Sequence, residues 1–290
     1  DEDYSNINHW GGDRDGDGVP NHSDYNDGVG WRDNNSDGGG DTSGNGKPVV
    51  LDLDSDGIEI NVNGATSFDI DNDGFLEPVS WVAPDDGFLV IDLNADQTRG
   101  VGDGKIDSVF ELSFSLWAPD GTTDLEALAT AVDINGNRIF DSNGDGALNA
   151  SDSVWNELRI WQDLDQDGQT EADGSELKSL AAWGITSIGL TYDDGSAYAD
   201  FNNDVNIMGN SLLGSASYTR NGEVIIGGVG DVALSFDANG YKKTDTSYGY
   251  DLEIEGSANV GVHKYLELSK SSSANVVVSA DTYNGVYGDA

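Results

Sequence analysis

The sequence predicts an α+β fold: a β-rich domain stabilised by metal-binding loops, two of which alternate with helices as an EF-hand-like loop-helix-loop-helix pair. Three observations carry that expectation. Of the 54 acidic residues in a chain of 290, 42 are Asp and 12 are Glu. Helices favour Glu, whereas Asp gathers in turns and oxygen-ligand loops, because its short side chain reaches nearby backbone or a bound cation. The pattern D-x-[DN]-x-[DN]-G recurs along the chain, and short apolar runs separated by Gly, Asn and Asp fill most of the remainder, the pattern of strands between turns.

Taken in order, residues 1–47 are Gly, Asp and Asn with almost no aliphatic side chains, so they form either a linker or a string of metal-ordered loops. At Pro48 the composition changes, and 48–237 read as a domain. Val49–Leu51 opens it as a strand, and the stretches at Phe68–Ile70, Val79–Val82 and Phe88–Leu93 follow as short strands. Asp124–Val132 reads as a helix with Asp124 as N-cap. Ser151–Gln162 reads as a second, with Val154, Trp155, Leu158 and Trp161 on one apolar face. Ser175–Trp183 reads as a third, with Leu177, Leu180 and Ala181 inward and Gly184 as the stop. Ile185–Tyr192 alternates like a strand. Beyond it, Ser215–Arg220, Glu223–Ile226, Val232–Phe236, Tyr250–Ile254, Tyr265–Leu268 and Val276–Ser279 read as strands, the last of them in a β-strand extension over 238–290.

The composition excludes several functions. A formal charge of −41 repels nucleic-acid phosphates and anionic membrane surfaces. No apolar run approaches the roughly 20 residues of a membrane-spanning helix, so neither nucleic acid nor membrane insertion is expected. There is no cysteine, hence no disulfide, thiolate metal site or Cys nucleophile, and the three His are scattered. Acidic chains are often disordered, but seven Trp, eleven Tyr and eight Phe call for a folded core. The chain does not open on Met and shows no signal-peptide pattern, which reads as a piece of a longer protein.

The acidic loops point to Ca²⁺. In D-x-[DN]-x-[DN]-G, oxygens at positions 1, 3 and 5 converge on one ion, Gly at 6 permits the turn, and an acid near position 12 closes the site. Such hard oxygens on a flexible loop suit calcium, since Mg²⁺ demands a stricter octahedron. The central pair is Asp141, Asn143, Asp145, with Asn149 and Asp152 at positions 9 and 12, and Asp163, Asp165, Asp167, with Glu176 closing after a two-residue insertion. Asp52, Asp54 and Asp56 with Glu59, and Asp69, Asp71 and Asp73 with Glu77, form two loops in a β setting. Asp92, Asn94 and Asp96 start another in which Gln97 replaces the glycine, with Asp103 and Asp107 to complete it. In the first segment Asp13, Asp15 and Asp17 pair with Asp24, and Asp33, Asn35 and Asp37 precede Gly38, a spacing that resembles thrombospondin type 3 repeats. The reading of acidic turns without metal stands beside each of these.

From Pro48 to about Asp237 the text PVVLDLDSDGIE, WVAPDDGFLVIDLN, FDSNGDGALNASDSVWNELRIWQDLDQDG and SYTRNGEVIIGGVGDVALSFD resembles the calcium-dependent self-processing module of RTX (repeats-in-toxin) proteins. The resemblance implies a calcium-folded module that breaks the peptide bond before its first Pro through an Asp side chain attacking its own carbonyl, the anhydride then being captured by a Lys amine. Here Lys47 precedes Pro48, and none of the five Pro follows an Asp, so the chemistry lacks its nucleophile and no catalytic residue is expected. That resemblance implies the fold and its calcium sites; the flanks outside the match, with a looser resemblance to large RTX adhesins, imply a calcium-dependent ligand-binding module of a secreted bacterial RTX-type adhesin at the cell surface. Its partners would be a peptide, protein or glycan ligand on a host or neighbouring cell, and neighbouring domains of the same chain. The alternatives are a self-processing module and a calcium-stiffened spacer. Trp81, Trp117, Tyr192, Tyr198 and Tyr218 are candidates for apolar contact with a ligand, with core packing as the competing role.

Overall fold

The computed structural model describes residues 47–72, 74–118, 122–195, 205–207, 209–236, 240–246, 249–254, 264–269 and 277–278. Expected ligands Asp13, Asp15, Asp17, Asp24, Asp33, Asn35, Asp37 and Asp73, and the aromatic Tyr198, lie outside these residues.

The described residues are mostly strand. The strands are β1 (Val49–Leu51), β2 (Ile60–Phe68), β3 (Glu77–Val82), β4 (Gly87–Ile91), β5 (Ala147–Asn149), β6 (Leu158–Trp161), β7 (Leu177–Ser179), β8 (Ile185–Gly189), β9 (Val205–Ile207), β10 (Asn210–Arg220), β11 (Glu223–Ala233), β12 (Tyr241–Thr246), β13 (Gly249–Ile254), β14 (Lys264–Ser269) and β15 (Val277–Val278). The two α-helices among the described residues are short, α1 (Val109–Leu112) and α2 (Asp124–Thr130), with a 3₁₀ turn at Phe114–Trp117 between them. None is long and apolar enough to cross a membrane.

A nine-stranded sheet forms the centre, in the order β5-β8-β10-β11-β1-β4-β6-β7 with β9 added on β10, and its pairs are antiparallel. Its middle strands are covered on both faces. The period-2 alternation of a strand sends Val49, Leu51, Leu89 and Ile91 to one core, shared with Phe114, Leu125, Leu128 and Phe140. It sends Val50, Phe88 and Val90 to the other, shared with Phe68, Trp81 and Trp161. The β2–β3 hairpin supplies that second layer. Trp81 stands edge-on to Phe88 and Trp161, with ring centroids 4.7 and 5.4 Å away, the arrangement aromatic quadrupoles favour. Strands β12–β15 form a separate four-stranded sheet, where the sequence predicts β structure.

The EF-hand-like helix pair is absent, and the α+β expectation is corrected to a β fold. Ser151–Gln162 is a turn followed by β6, and Ser175–Trp183 is β7 followed by a turn. In the first of these the apolar residues are buried, but with the period of a strand. Val154, Trp155, Leu158 and Trp161 are buried, and so is Ile160 between them. Residues 158–161 pair with β4 on one side and β7 on the other, so sheet pairing overrides a weak helical spacing. Ala181, expected inward, is exposed. The first predicted helix does form, but Thr123 is its N-cap. The Asp124 carboxylate instead accepts the amides of Phe114 (2.6 Å) and Ser115 (2.9 Å).

Candidate metal centres

The aspartate at position 1 organises each loop. Asp52 accepts the amides of Ser55 and Gly57 (2.7 and 3.2 Å). Asp163 accepts those of Gln166 and Gly168 (2.6 and 2.9 Å), and Asp141 those of Gly144 and Gly146 (2.9 and 3.1 Å). Asp69 accepts Gly74 at 3.1 Å. These four loops share one backbone trace, with positive φ at positions 4 and 6: Ser55 and Gly57, Asn72 and Gly74, Gly144 and Gly146, Gln166 and Gly168. Left-handed backbone at a non-glycine residue is uncommon and costly. Its recurrence at the same two positions marks one built motif rather than four acidic turns.

A second signature identifies the closing acid, which receives the amide of position 2. Glu176 Oε1 accepts Leu164 (2.7 Å) and Glu77 Oε2 accepts Ile70 (3.1 Å), both as expected from the sequence. For the first loop the acceptor is Asp86, not Glu59: Asp86 Oδ1 takes the Leu53 amide and Oδ2 the Glu59 amide, each at 3.0 Å. In the Asp92 loop the acceptor is Glu111, which takes Leu93 at 2.9 Å through one oxygen and Asp107 and Ser108 through the other. In the Asp141 loop Asp152 Oδ1 takes the position-3 amide of Asn143 (3.3 Å) and the Ser142 hydroxyl.

Among the described residues three groups of carboxylates converge, with ligand oxygens within 4.8 Å of one another: Asp52, Asp54 and Asp86; Asp69, Asp71 and Glu77; Asp163, Asp165 and Asp167. These acidic clusters offer metal sites. Like charges so close repel unless protonated or bridged by a cation. Burial raises the Asp163 carboxyl above its ordinary value, pushes Asp86 up to about 7, and raises Glu176 with help from the Asp163 and Asp165 charges. Glu176 Oε2 is buried and without a hydrogen-bond partner among the described residues, the condition of an oxygen whose partner is an ion. The donor set is all oxygen, which fits calcium.

The remaining expected ligands are placed differently. Asp56 turns its amide to Asp54 (3.2 Å) and stands outside the converging group. Asp145 accepts the side-chain amides of Asn143 and Asn149, and Arg138 lies 3.7 Å from Asp141, so that loop brings no three carboxylates together. Asp92 faces Arg159 at 3.5 Å and takes the Gly104 amide. Asn94 and Asp96 bond within their own turn, to Thr98 and Arg99. Trp81, Trp117, Tyr192 and Tyr218 are buried and serve the core.

Sequence reasoning missed Asp86 and Glu111. Asp86 comes from the turn between β3 and β4, 34 positions after Asp52, and only folding brings it in. Glu111 sits in a Ser108-x-x-Glu capping box, a readable helix signature that conceals its second role.

The family described as SPM domain matches residues 49–235. A curated relative, iron-regulated protein FrpA of Neisseria meningitidis serogroup C, is 37% identical over 194 residues, which is 66% of this chain and 15% of that protein. The chain thus spans about a seventh of that relative's length.

Proposed function

This chain belongs to the SPM domain family, and from that premise we propose that it is a calcium-dependent ligand-binding module of a secreted, RTX-type bacterial surface protein. The observation that carries the reading is the convergence of three carboxylate groups on loops of one repeated trace. Each loop joins separate strands of the fold, so a bound cation would tie those strands together and order the surface around them. A divalent ion with an open position would accept the hard oxygens of a ligand carboxylate or sugar hydroxyl. The resemblance to RTX adhesins supports export to calcium-rich surroundings and a peptide, protein or glycan partner.

Peptide and glycan arrays probed in calcium and in EDTA test the reading. A ligand retained only in calcium supports it. The absence of any calcium-dependent ligand would leave a calcium-stiffened spacer in its place. The intact mass after long incubation in calcium is the second measurement, because cleavage at Lys47–Pro48 or a Lys cross-link would reassign the module to self-processing. With Lys47 before Pro48, an unchanged mass is expected.

A further inference from the structure

Away from the metal loops, two fully buried carboxyl groups meet where the 113–130 segment docks on the sheet. Asp231, on β11, is 0% exposed, as is Asp124 at the start of α2. Asp231 Oδ2 accepts the Tyr192 hydroxyl at 2.6 Å and the Leu125 amide at 3.3 Å. The Thr123 hydroxyl lies 3.0 Å from that of Tyr192. Tyr192 has one proton and gives it to Asp231, so Thr123 donates to Tyr192. Asp231 Oδ1 is buried and has no hydrogen-bond partner among the described residues. A buried carboxylate oxygen without a donor is costly, and a proton on it removes the buried charge, the larger part of that cost.

The groups facing Asp231 are mostly acidic. Asp124 and Glu126 come from α2; the Glu126 charge raises the Asp231 carboxyl, and the Asp231 charge raises that of Asp124. Tyr192 comes from the stretch after β8. From β1 the strand partner is Val49, with Lys47 two residues earlier, and from β10 the partner is Gly214. The 3₁₀ turn brings amides and hydroxyls, through Phe114, Ser115 and Ser113 bound to Asp124.

We propose that Asp231 is a proton-operated latch, which with a proton on Oδ1 holds α2 and the 3₁₀ turn onto the sheet and on losing that proton loosens them. Burial pushes its carboxyl up to about 6, the Tyr192 hydroxyl and the Leu125 amide drawing it part way back, and pushes Asp124 up to about 7 with the Asp231 charge adding to the rise. Both values lie above that of the opened segment. The closed form therefore holds protons that the open form has lost, and closure weakens as pH rises from about 4 to about 6 or 7. The latch does not depend on the ligand-binding reading.

Hydrogen exchange of single amides in the whole chain in excess calcium, from pH 4 to 8, tests it. Protection at Leu125, Phe114 and Ser115, corrected for intrinsic rates, should fall at least tenfold per pH unit up to about pH 6 and level off by about pH 7, while the β4 amides hold theirs. Asp231→Asn should shrink the total fall at least tenfold. Tyr192→Phe removes the donor that favours the anion, so it should move the levelling-off to higher pH, and it serves if the Asn variant does not fold. Protection that is flat in the wild type, falls equally in β4, or falls identically in whichever of the two variants folds would overturn the latch.

Discussion

Replacing Asp86 with Asn separates the structural assignment of the first loop's closing acid from the one its sequence suggests. Asp86 is fully buried, and its two oxygens hold the amides of Leu53 and Glu59 at 3.0 Å. It also completes the group formed with Asp52 and Asp54. Asn keeps one acceptor, turns an NH₂ toward the other amide, and removes one ligand charge. Losing a hydrogen bond to a charged group costs about 1.5–3 kcal/mol, or about 10- to 100-fold in calcium affinity at that loop. Glu59 stands outside the converging oxygens, although its Oε2 is buried without a hydrogen-bond partner among the described residues, so Glu59→Gln should weaken binding clearly less than Asp86→Asn does. A calcium titration followed at the Gly57 amide, which bonds to Asp52, reads this loop apart from the others. If Glu59→Gln weakened binding as much as Asp86→Asn, or if the latter left the Gly57 titration unmoved, the position-2 amide would not identify the closing acid.

Calcium removal should lower the melting temperature by roughly 15 °C or more: three sites each saturated at about 100 Kd add about 8 kcal/mol, and a chain of this size gains about 2–4 °C per kcal/mol. In EDTA, stability should fall as pH rises from about 4 to 8. Burial raises Asp86 to about 7 and Glu111 to about 8, so the folded state keeps protons the unfolded chain has released. That contribution is complete below the unfolded values and is lost as pH passes the folded ones; melting scans in excess calcium should show a smaller decline, the part left coming from the buried Asp124 and Asp231 carboxyls. Gly146→Ala, at φ +82 with open space around it, should cost about 1–2 kcal/mol in denaturant unfolding. Gly168→Ala should cost clearly more, because its Cβ would stand 2.5 Å from the Ser67 backbone oxygen, which cannot swing aside as a side chain can. Trp81→Phe leaves an aromatic ring in the core, at some loss of packing volume, and drops the bond from Nε1 to Asp163 Oδ2 (2.8 Å), so calorimetry should show weaker calcium binding at the Asp163 loop with little change at the others.

Much of the strand content was legible because apolar alternation survives in short runs: Val49–Leu51, Val79–Val82 and Ile185–Gly189 all fall within expected strands. The strand at Leu158–Trp161, expected as helix, has a physical cause. Leu158-Arg159-Ile160-Trp161 is buried on both sides of β6, and a strand covered on both faces gives no alternation to set against a helical spacing. The loops were legible down to the glycines, since D-x-D-x-D-G determines both ligand spacing and turn. Their closing acids were legible only when local. Glu77 and Glu176 lie within 13 residues of their position-1 Asp, whereas Asp86 and Glu111 arrive through the fold, and spacing carries no signal for them.

The net charge of −41 takes on a different meaning once these loops are placed. Charge at this density opposes compaction, yet the converging carboxylates stand at the junctions of the fold. The Asp52 loop follows β1, takes its closing acid from the turn before β4, and has its backbone oxygen held by the Tyr218 hydroxyl of β10 at 2.6 Å. The Asp163 loop follows β6, is held by Trp81 of β3, and closes through Glu176 just ahead of β7. In the absence of a cation those junctions concentrate the repulsion. A divalent ion at each would reverse the sign there, turning the most destabilising contacts into cross-braces between strands far apart in sequence. Asp rather than Glu is then the residue required, because the shorter side chain can bind position-4 and position-6 amides with the same carboxylate that faces the ion, as Asp52 and Asp163 do. The longer Glu serves as a closing acid at Glu77 and Glu176, while Asp86 fills that place in the first loop because the turn before β4 carries it there.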